Sequence, residues 1–260
     1  MDENFNTSKH RYRAYWDRNL QALATADLGE YGGRYRYYWG RFPDVTHQAV
    51  LRRFLKSGDT YIDIGANLGF QSIYASRLVG EAGRVLSFEP HPETFRLLNA
   101  HLAMNGLFRC STFNMALSDE PGELLLNEHG PHSGTATFLR SGSATRCLPV
   151  KVERGDDVLP AMDLPGDIFV KIDVEGFERK VLRGLRRTLS RVKIAAVEVT
   201  PEWLSAVGDN AEELYAEMRD LGFQAYRPHL RWKCKMWSPT LEVPQLTSIP
   251  PEQHDILFMR

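Results

Sequence analysis

The chain has 260 residues, 43% of them hydrophobic and 25% charged, with a formal net charge of −1. That is enough for one large domain, or one domain with a small extension, and it offers no global electrostatic case for nucleic acid or an anionic membrane as partner. No apolar run reaches bilayer-spanning length, and Met1-Asp2-Glu3-Asn4-Phe5-Asn6 is polar and acidic, unlike a signal peptide.

Tyr12, Tyr15, Trp16, Leu20 and Leu23 recur at spacings of three to four, which predicts a helix over Ser8 to Leu28 with Ser8 as its cap. A glycine- and aromatic-rich linker, Tyr31 to Phe42, follows. A second helix is expected from Asp44 to Lys56, ended by Gly58. Strands and helices then alternate. The expected strands are Thr60 to Ile64, Val85 to Glu89, Thr112 to Leu117, Asp167 to Asp173, Ile194 to Val199, Phe223 to Tyr226 and Ile256 to Met259. The expected helices are Phe70 to Leu78, Glu93 to Asn105, Phe177 to Leu189 and Ala211 to Leu221. Gly122 to Val152 departs from the alternation and reads as a β-rich insertion around a polar loop with Gly130, Ser133, Gly134 and Ser143. Alternation of this kind gives a parallel sheet with right-handed crossovers and a ligand crevice beyond the carboxyl ends of the strands. Asp63, Glu89, Asp173 and Glu198 all fall at or near such ends.

Cys110, Cys147 and Cys234 are widely separated and show neither metal spacing nor a disulfide framework. They are read as buried structural thiols in a reducing, cytoplasmic setting, and no metal is expected.

The segment Asp63-Ile64-Gly65-Ala66-Asn67-Leu68-Gly69-Phe70 carries the chemistry. Gly65 and Gly69 allow backbone angles closed to other residues, and the helix opening near Gly69 favours an anion. A carboxylate at Asp63 would repel a dinucleotide's pyrophosphate, and the spacing G-x-x-x-G is not the dinucleotide fingerprint. S-adenosylmethionine fits these charges: it has a carboxylate for the helix, an ammonium for Asp63 and no phosphate. Glu89 is placed to accept hydrogen bonds from both ribose hydroxyls. Lys171-Ile172-Asp173-Val174-Glu175-Gly176 sits across the crevice. Asp173 and Glu175 there read as the acidic floor of a reaction site, or else as a helix cap and a first-turn acid.

These motifs, with Ser87-Phe88-Glu89-Pro90-His91-Pro92 and Asn114-Met115-Ala116-Leu117-Ser118-Asp119, resemble the motif series of the FkbM family over Thr60 to Thr200. The resemblance implies a Rossmann-like class I methyltransferase domain (59–260): an α/β fold with a seven-stranded, mostly parallel sheet and helices on both faces. The N-terminal helical and aromatic extension (1–58) lies outside the resemblance and reads as a cap or lid that is not an independent domain. It implies O-methylation of a hydroxyl on a sugar or secondary metabolite. The expected cofactor contacts are Asp63, Gly65, Ala66, Asn67, Gly69, Phe70, Glu89, Pro90, Asn114, Ala116 and Asp173, with Asn114 and Ala116 flanking the adenine.

A positioned base is expected because an alcohol is a weak nucleophile. The candidates are Asp173, Glu175 and His91, with His132 and His229 as loop outsiders. The acceptor is expected to be a small or carrier-bound hydroxylated molecule. Tyr31 to Phe42 reads as core packing or a homodimer contact, with a lid over the acceptor as its alternative. The basic, aromatic loop Arg227 to Lys235 reads as solvated, with a grip on an anionic acceptor as its alternative. The rival functions are an RNA methyltransferase, which would want an extended basic face, and a nicotinamide oxidoreductase, which Asp63 and the glycine spacing disfavour.

Overall fold

The structure, a computed structural model, describes residues 11–41, 44–128, 138, 146–232 and 239–260. Expectations for Ser8, Phe42, Gly130, His132, Ser133, Gly134, Ser143 and Cys234 therefore lie outside the described residues.

The chain opens with strands β1 (Tyr12–Asp17) and β2 (Ala22–Asp27), paired antiparallel. This corrects the helix expected over Ser8 to Leu28. The period is two: Tyr12, Ala14 and Trp16 face out while Ala22, Ala24 and Ala26 are fully buried. Asp17 makes the turn, its Oδ1 accepting from the backbone N–H groups of Asn19 and Leu20 at 2.9 Å. The expected linker is in fact helix α1 (Tyr31–Trp39), closed by Gly40 in a left-handed conformation. Its glycines let it press against β2: a Cβ on Gly33 would lie 1.9 Å from the Asp27 carbonyl oxygen.

Helix α2 (Val45–Phe54) leads to β3 (Thr60–Ile64), α3 (Phe70–Val79), β4 (Arg84–Phe88) and α4 (Pro92–Met104). The single strand expected at Thr112 to Leu117 is two, β5 (Cys110–Phe113) and β6 (Ala116–Ser118). The break falls at Asn114, whose side chain donates to the carbonyl oxygens of Glu89 (2.9 Å) and Pro90 (3.0 Å). The insertion contributes β7 (Gly122–Glu128) and β8 (Arg146–Arg154), an antiparallel pair with β6 parallel to β8. Cys147 is exposed on β8, not buried.

After the short helix α5 (Gly155–Val158) come β9 (Ile168–Ile172), α6 (Glu178–Gly184), α7 (Arg186–Leu189), β10 (Val192–Val199), α8 (Pro201–Ala206) and α9 (Ala211–Asp220). The single helix expected over Phe177 to Leu189 breaks after Gly184, where a Cβ would lie 1.9 Å from the Ser118 carbonyl oxygen. Strand β11 (Gln224–Tyr226), a small hairpin β12 (His229–Arg231) and β13 (Thr240–Glu242), and β14 (His254–Met259) complete the chain. None of the described helices is long and apolar enough to cross a membrane.

The main sheet has seven strands in the order β11-β14-β10-β9-β3-β4-β5, with β14 antiparallel to its neighbours and the rest parallel. Strand parity divides the core. Ile62, Ile64, Val170, Ile172, Ala195 and Val197 pack with α6, α7 and α9 on one face. Tyr61, Phe169, Ile194 and Leu257 pack with α2 and α3 on the other. A third core joins the β1–β2 hairpin to α3 and α4 through Tyr15, Leu20, Phe70, Ile73, Leu98 and Leu102. His101 on α4 fastens the hairpin to the glycine loop: its Nε2 accepts from Thr25 N (3.0 Å), so its Nδ1 donates to the Leu68 carbonyl (2.8 Å).

Candidate active site

The glycine loop between β3 and α3 is built by close approach. A Cβ on Gly65 (φ 79°) would lie 1.8 Å from the Asp173 carbonyl oxygen. The loop is held from β4: the amides of Asn67 and His91 donate to the two carboxyl oxygens of Glu89 at 2.8 and 2.9 Å. Burial drives the Glu89 carboxyl up to about 7 in spite of these two bonds.

Three cavities lie around Asp173, and the first and third also border this loop. The first, about 220 Å³, is lined by Gly65, Asn67, Glu89, Pro90, Met115, Ala116, Leu117, Phe138, Asp173, Glu175, Phe177 and Glu198, among others. The second, about 250 Å³, lies at the mouth of β9, β10 and β14 between Asp44, His47, Lys171, Asp173, Glu198 and Asp255. The third, about 180 Å³, lies at the start of α3 between Arg36, Ala66, Phe70, Gln71, Lys171 and Asp173. Asp173 borders all three.

The charges around Asp173 are arranged to keep it ionised. Lys171 Nζ lies 3.1 Å from Asp173 Oδ2 and 3.5 Å from Asp63 Oδ1, and donates to the Gly65 carbonyl at 3.2 Å. Burial opposes the charge on Asp173, but Lys171 and a hydrogen bond from Glu198 outweigh it and hold the carboxyl below its usual range. Glu198 takes the complementary state. Burial and the Asp173 charge push it to about 9, so it carries the proton of the pair at neutral pH. Glu175 has a positive φ of 53° and is raised to about 8 by burial and by Asp173, Glu178 and Glu89. A positive φ and a shifted carboxyl on a cavity wall make Glu175 a candidate functional position.

Of the expected residues, Gly65, Asn67, Glu89, Pro90, Ala116, Asp173 and Glu175 converge on the first cavity, and Ala66 and Phe70 on the third. Gly69 holds α3 through its left-handed φ of 80°. Asp63 lines none of the three. Parity turns it toward α3, fully buried, where Ser72 Oγ donates to its Oδ2 at 2.5 Å. Its placement supports Lys171, not a ligand. His91 is a buried cap of α4: its Nδ1 accepts from Thr94 N at 3.2 Å, and it lies outside the cavity linings. Asn114 ties strand ends together and also lies off the lining. His229 is on the β12–β13 hairpin, paired with Glu242 at 3.2 Å.

Lys171, Arg36, Gln71 and Asp44 were not singled out from the sequence. Lys171 had a readable signal, since it lies two residues before Asp173 and so on the same side of the chain. Gln71 directly follows Phe70 on the first turn of α3, while Arg36 and Asp44 had no such signal, because they reach the site from elements before β3. Among the described residues, no group of three or more His, Cys, Asp or Glu converges on a metal position.

A family model, the methyltransferase FkbM domain, matches residues 63–225, more than half of the chain. The hexuronic acid methyltransferase AglP of Haloferax volcanii is 30% identical over 161 residues, a match covering 58% of this chain and 62% of that protein. The methyltransferase sdnD of Sordaria araneosa is 28% identical over 210 residues, covering 68% of this chain and 78% of that one. A crystal structure of a methyltransferase FkbM from Methylobacillus flagellatus KT aligns with a TM-score of 0.47 at 18% identity, over 84% of this chain and 50% of the other.

Proposed function

The chain belongs to the FkbM methyltransferase family, and we propose that it uses S-adenosylmethionine to methylate a hydroxyl group of a sugar or secondary metabolite. One observation carries this reading: Asp173 stands where three cavities meet, so a donor and an acceptor can be brought together there. A hexuronic acid methyltransferase among the relatives supports a sugar acceptor.

The residues present fit an adenosine cofactor. Glu89 offers its carboxyl to the ribose, and Met115, Ala116, Leu117 and Phe138 give the first cavity an apolar end for the base. The bound cofactor supplies an electrophilic methyl group. The protein's part is to orient, to exclude water and to receive a proton. Asp173, kept anionic by Lys171, orients positive charge at the junction. The second cavity admits the acceptor between β9, β10 and β14. Glu175, which lines the first cavity beside Asp173, would take the hydroxyl proton of an acceptor reaching this junction, as the oxygen–carbon bond forms and the methyl–sulfur bond breaks. Orientation of this kind can supply roughly 7–11 kcal/mol and a positioned base roughly 10²–10⁴-fold.

The test is transfer of labelled methyl from S-adenosylmethionine to a panel of hexoses, hexuronic acids and hydroxylated metabolites. Alkali-stable label in a sugar or metabolite ether is the expected result. Label found only in RNA, or calorimetry showing that the protein binds NADH and not S-adenosylmethionine, would refute the reading.

A further inference from the structure

The third cavity has a lining that the function above leaves unexplained. It holds both signs of charge: Glu30, Asp44 and Asp173 against Arg36 and Lys171. Lys171 is already committed to Asp63, Asp173 and the Gly65 carbonyl. Arg36 comes from α1, and its guanidinium lies 5.5 Å from the centre of the Phe70 ring at the start of α3. Its Nε is buried without a hydrogen-bond partner. Gln71 is only 6% exposed. It lines the cavity and donates through Nε2 to Asp44 Oδ2 at 2.6 Å, while its Oε1 is buried without a hydrogen-bond partner. Helix α3 has ten residues, and no side chain caps its N-terminus.

A buried donor and a buried acceptor left unpaired on two residues that line one cavity cost free energy unless a ligand meets them. The ligand that meets both is a zwitterion. Its carboxylate takes the arginine and the positive end of the helix, and its ammonium takes the amide oxygen and Asp173. Resting on the methyl-donor reading, we propose that Arg36 binds the carboxylate of the cofactor's amino-acid end, with Gln71 accepting from its ammonium. Arg36 lies outside the stretch matched by the family domain, residues 63–225. The N-terminal segment is thereby part of the cofactor site and not a detachable appendage. The His101 bridge from Thr25 to the Leu68 carbonyl fixes that segment against the glycine loop.

The experiment is calorimetry on the full chain with two probes: S-adenosylhomocysteine, and 5′-methylthioadenosine, which lacks the amino-acid end. Hydrogen bonds to charged groups contribute about 1.5–3 kcal/mol, so Arg36→Ala is expected to weaken S-adenosylhomocysteine by about 10- to 150-fold. Binding of 5′-methylthioadenosine should change by less than about threefold, which also shows that the variant is folded. Arg36→Gln is a second variant that keeps bulk, and it should show the same split. If both probes weaken together, or neither changes, the Arg36 assignment is overturned while the methyl-donor reading stands. If the unaltered protein binds neither probe, the methyl-donor reading itself falls.

Discussion

Gly65 and Asp173 share one volume: a methyl group on the glycine would overlap the aspartate's carbonyl oxygen, 1.8 Å away. The glycine loop between β3 and α3 and the end of β9 that carries Asp173 are therefore in main-chain contact. Nothing larger than hydrogen fits between them.

Gly65→Ala should fail on two counts. A left-handed φ costs a residue with a side chain roughly 1–3 kcal/mol, and the overlap must be relieved by parting β3 from β9. Denaturant unfolding should show the lost stability, and calorimetry should show lost cofactor binding. A variant that binds with unchanged affinity would contradict the contact.

Lys171→Met should be among the most damaging single changes. It strands the fully buried Asp63 and removes the cation that keeps Asp173 ionised. Breaking such a buried pair typically costs about 3–5 kcal/mol. The double variant Lys171→Met/Asp63→Asn should recover part of that loss, because no unpaired charge remains at Asp63. Additive losses across the cycle would show that the two residues act independently.

Glu178 gives a pH prediction. Buried at 2% exposure, its carboxyl is raised from 4.5 to about 7. Between those values the folded chain keeps a proton that the unfolded chain has released. Its stabilising contribution is thus full below pH 4.5 and is lost as pH rises through 7. The difference is at most about 3 kcal/mol. Glu178→Gln should therefore gain on the parent protein as pH rises from 5 to 8, read from unfolding midpoints at each pH. A gap that stays constant would mean the carboxyl does not titrate in this window.

Glu175 should separate stability from activity. In the proposed role it is the proton acceptor, and its carboxyl lies near 8. For the free enzyme, kcat/KM should rise with pH with a midpoint in that region, and Glu175→Gln should flatten the rise and cost about 10²–10⁴-fold. Glu175→Gly should lose the same activity without losing stability, since the native φ of 53° suits glycine. An unaltered pH profile in the Gln variant would remove Glu175 from the reaction.

The core strands from Thr60 onward and the glycine loop were legible in the residues because their signals are local. Apolar runs bounded by glycines, and carboxylates at strand ends, need no distant partner to be read. Glu89, Asp173 and Glu175 were found this way, and all three line the first cavity. The N-terminal segment was misread because its aromatics satisfy a helical spacing as well as an alternating one. Packing decided between them: Ala22, Ala24 and Ala26 lie flat against the protein only as a strand.

What the chain's order of residues determined is the loop, its flanking strands and the kind of charge placed beside them. What only tertiary structure decided is where each charge points and what it meets. Asp63 and Lys171 are far apart in sequence, yet they stand opposite each other in paired strands, so the carboxylate is spent on the lysine. Arg36 and Gln71 reach one cavity from separate helices. Such meetings depend on strand parity and on packing between distant segments, which no local pattern encodes.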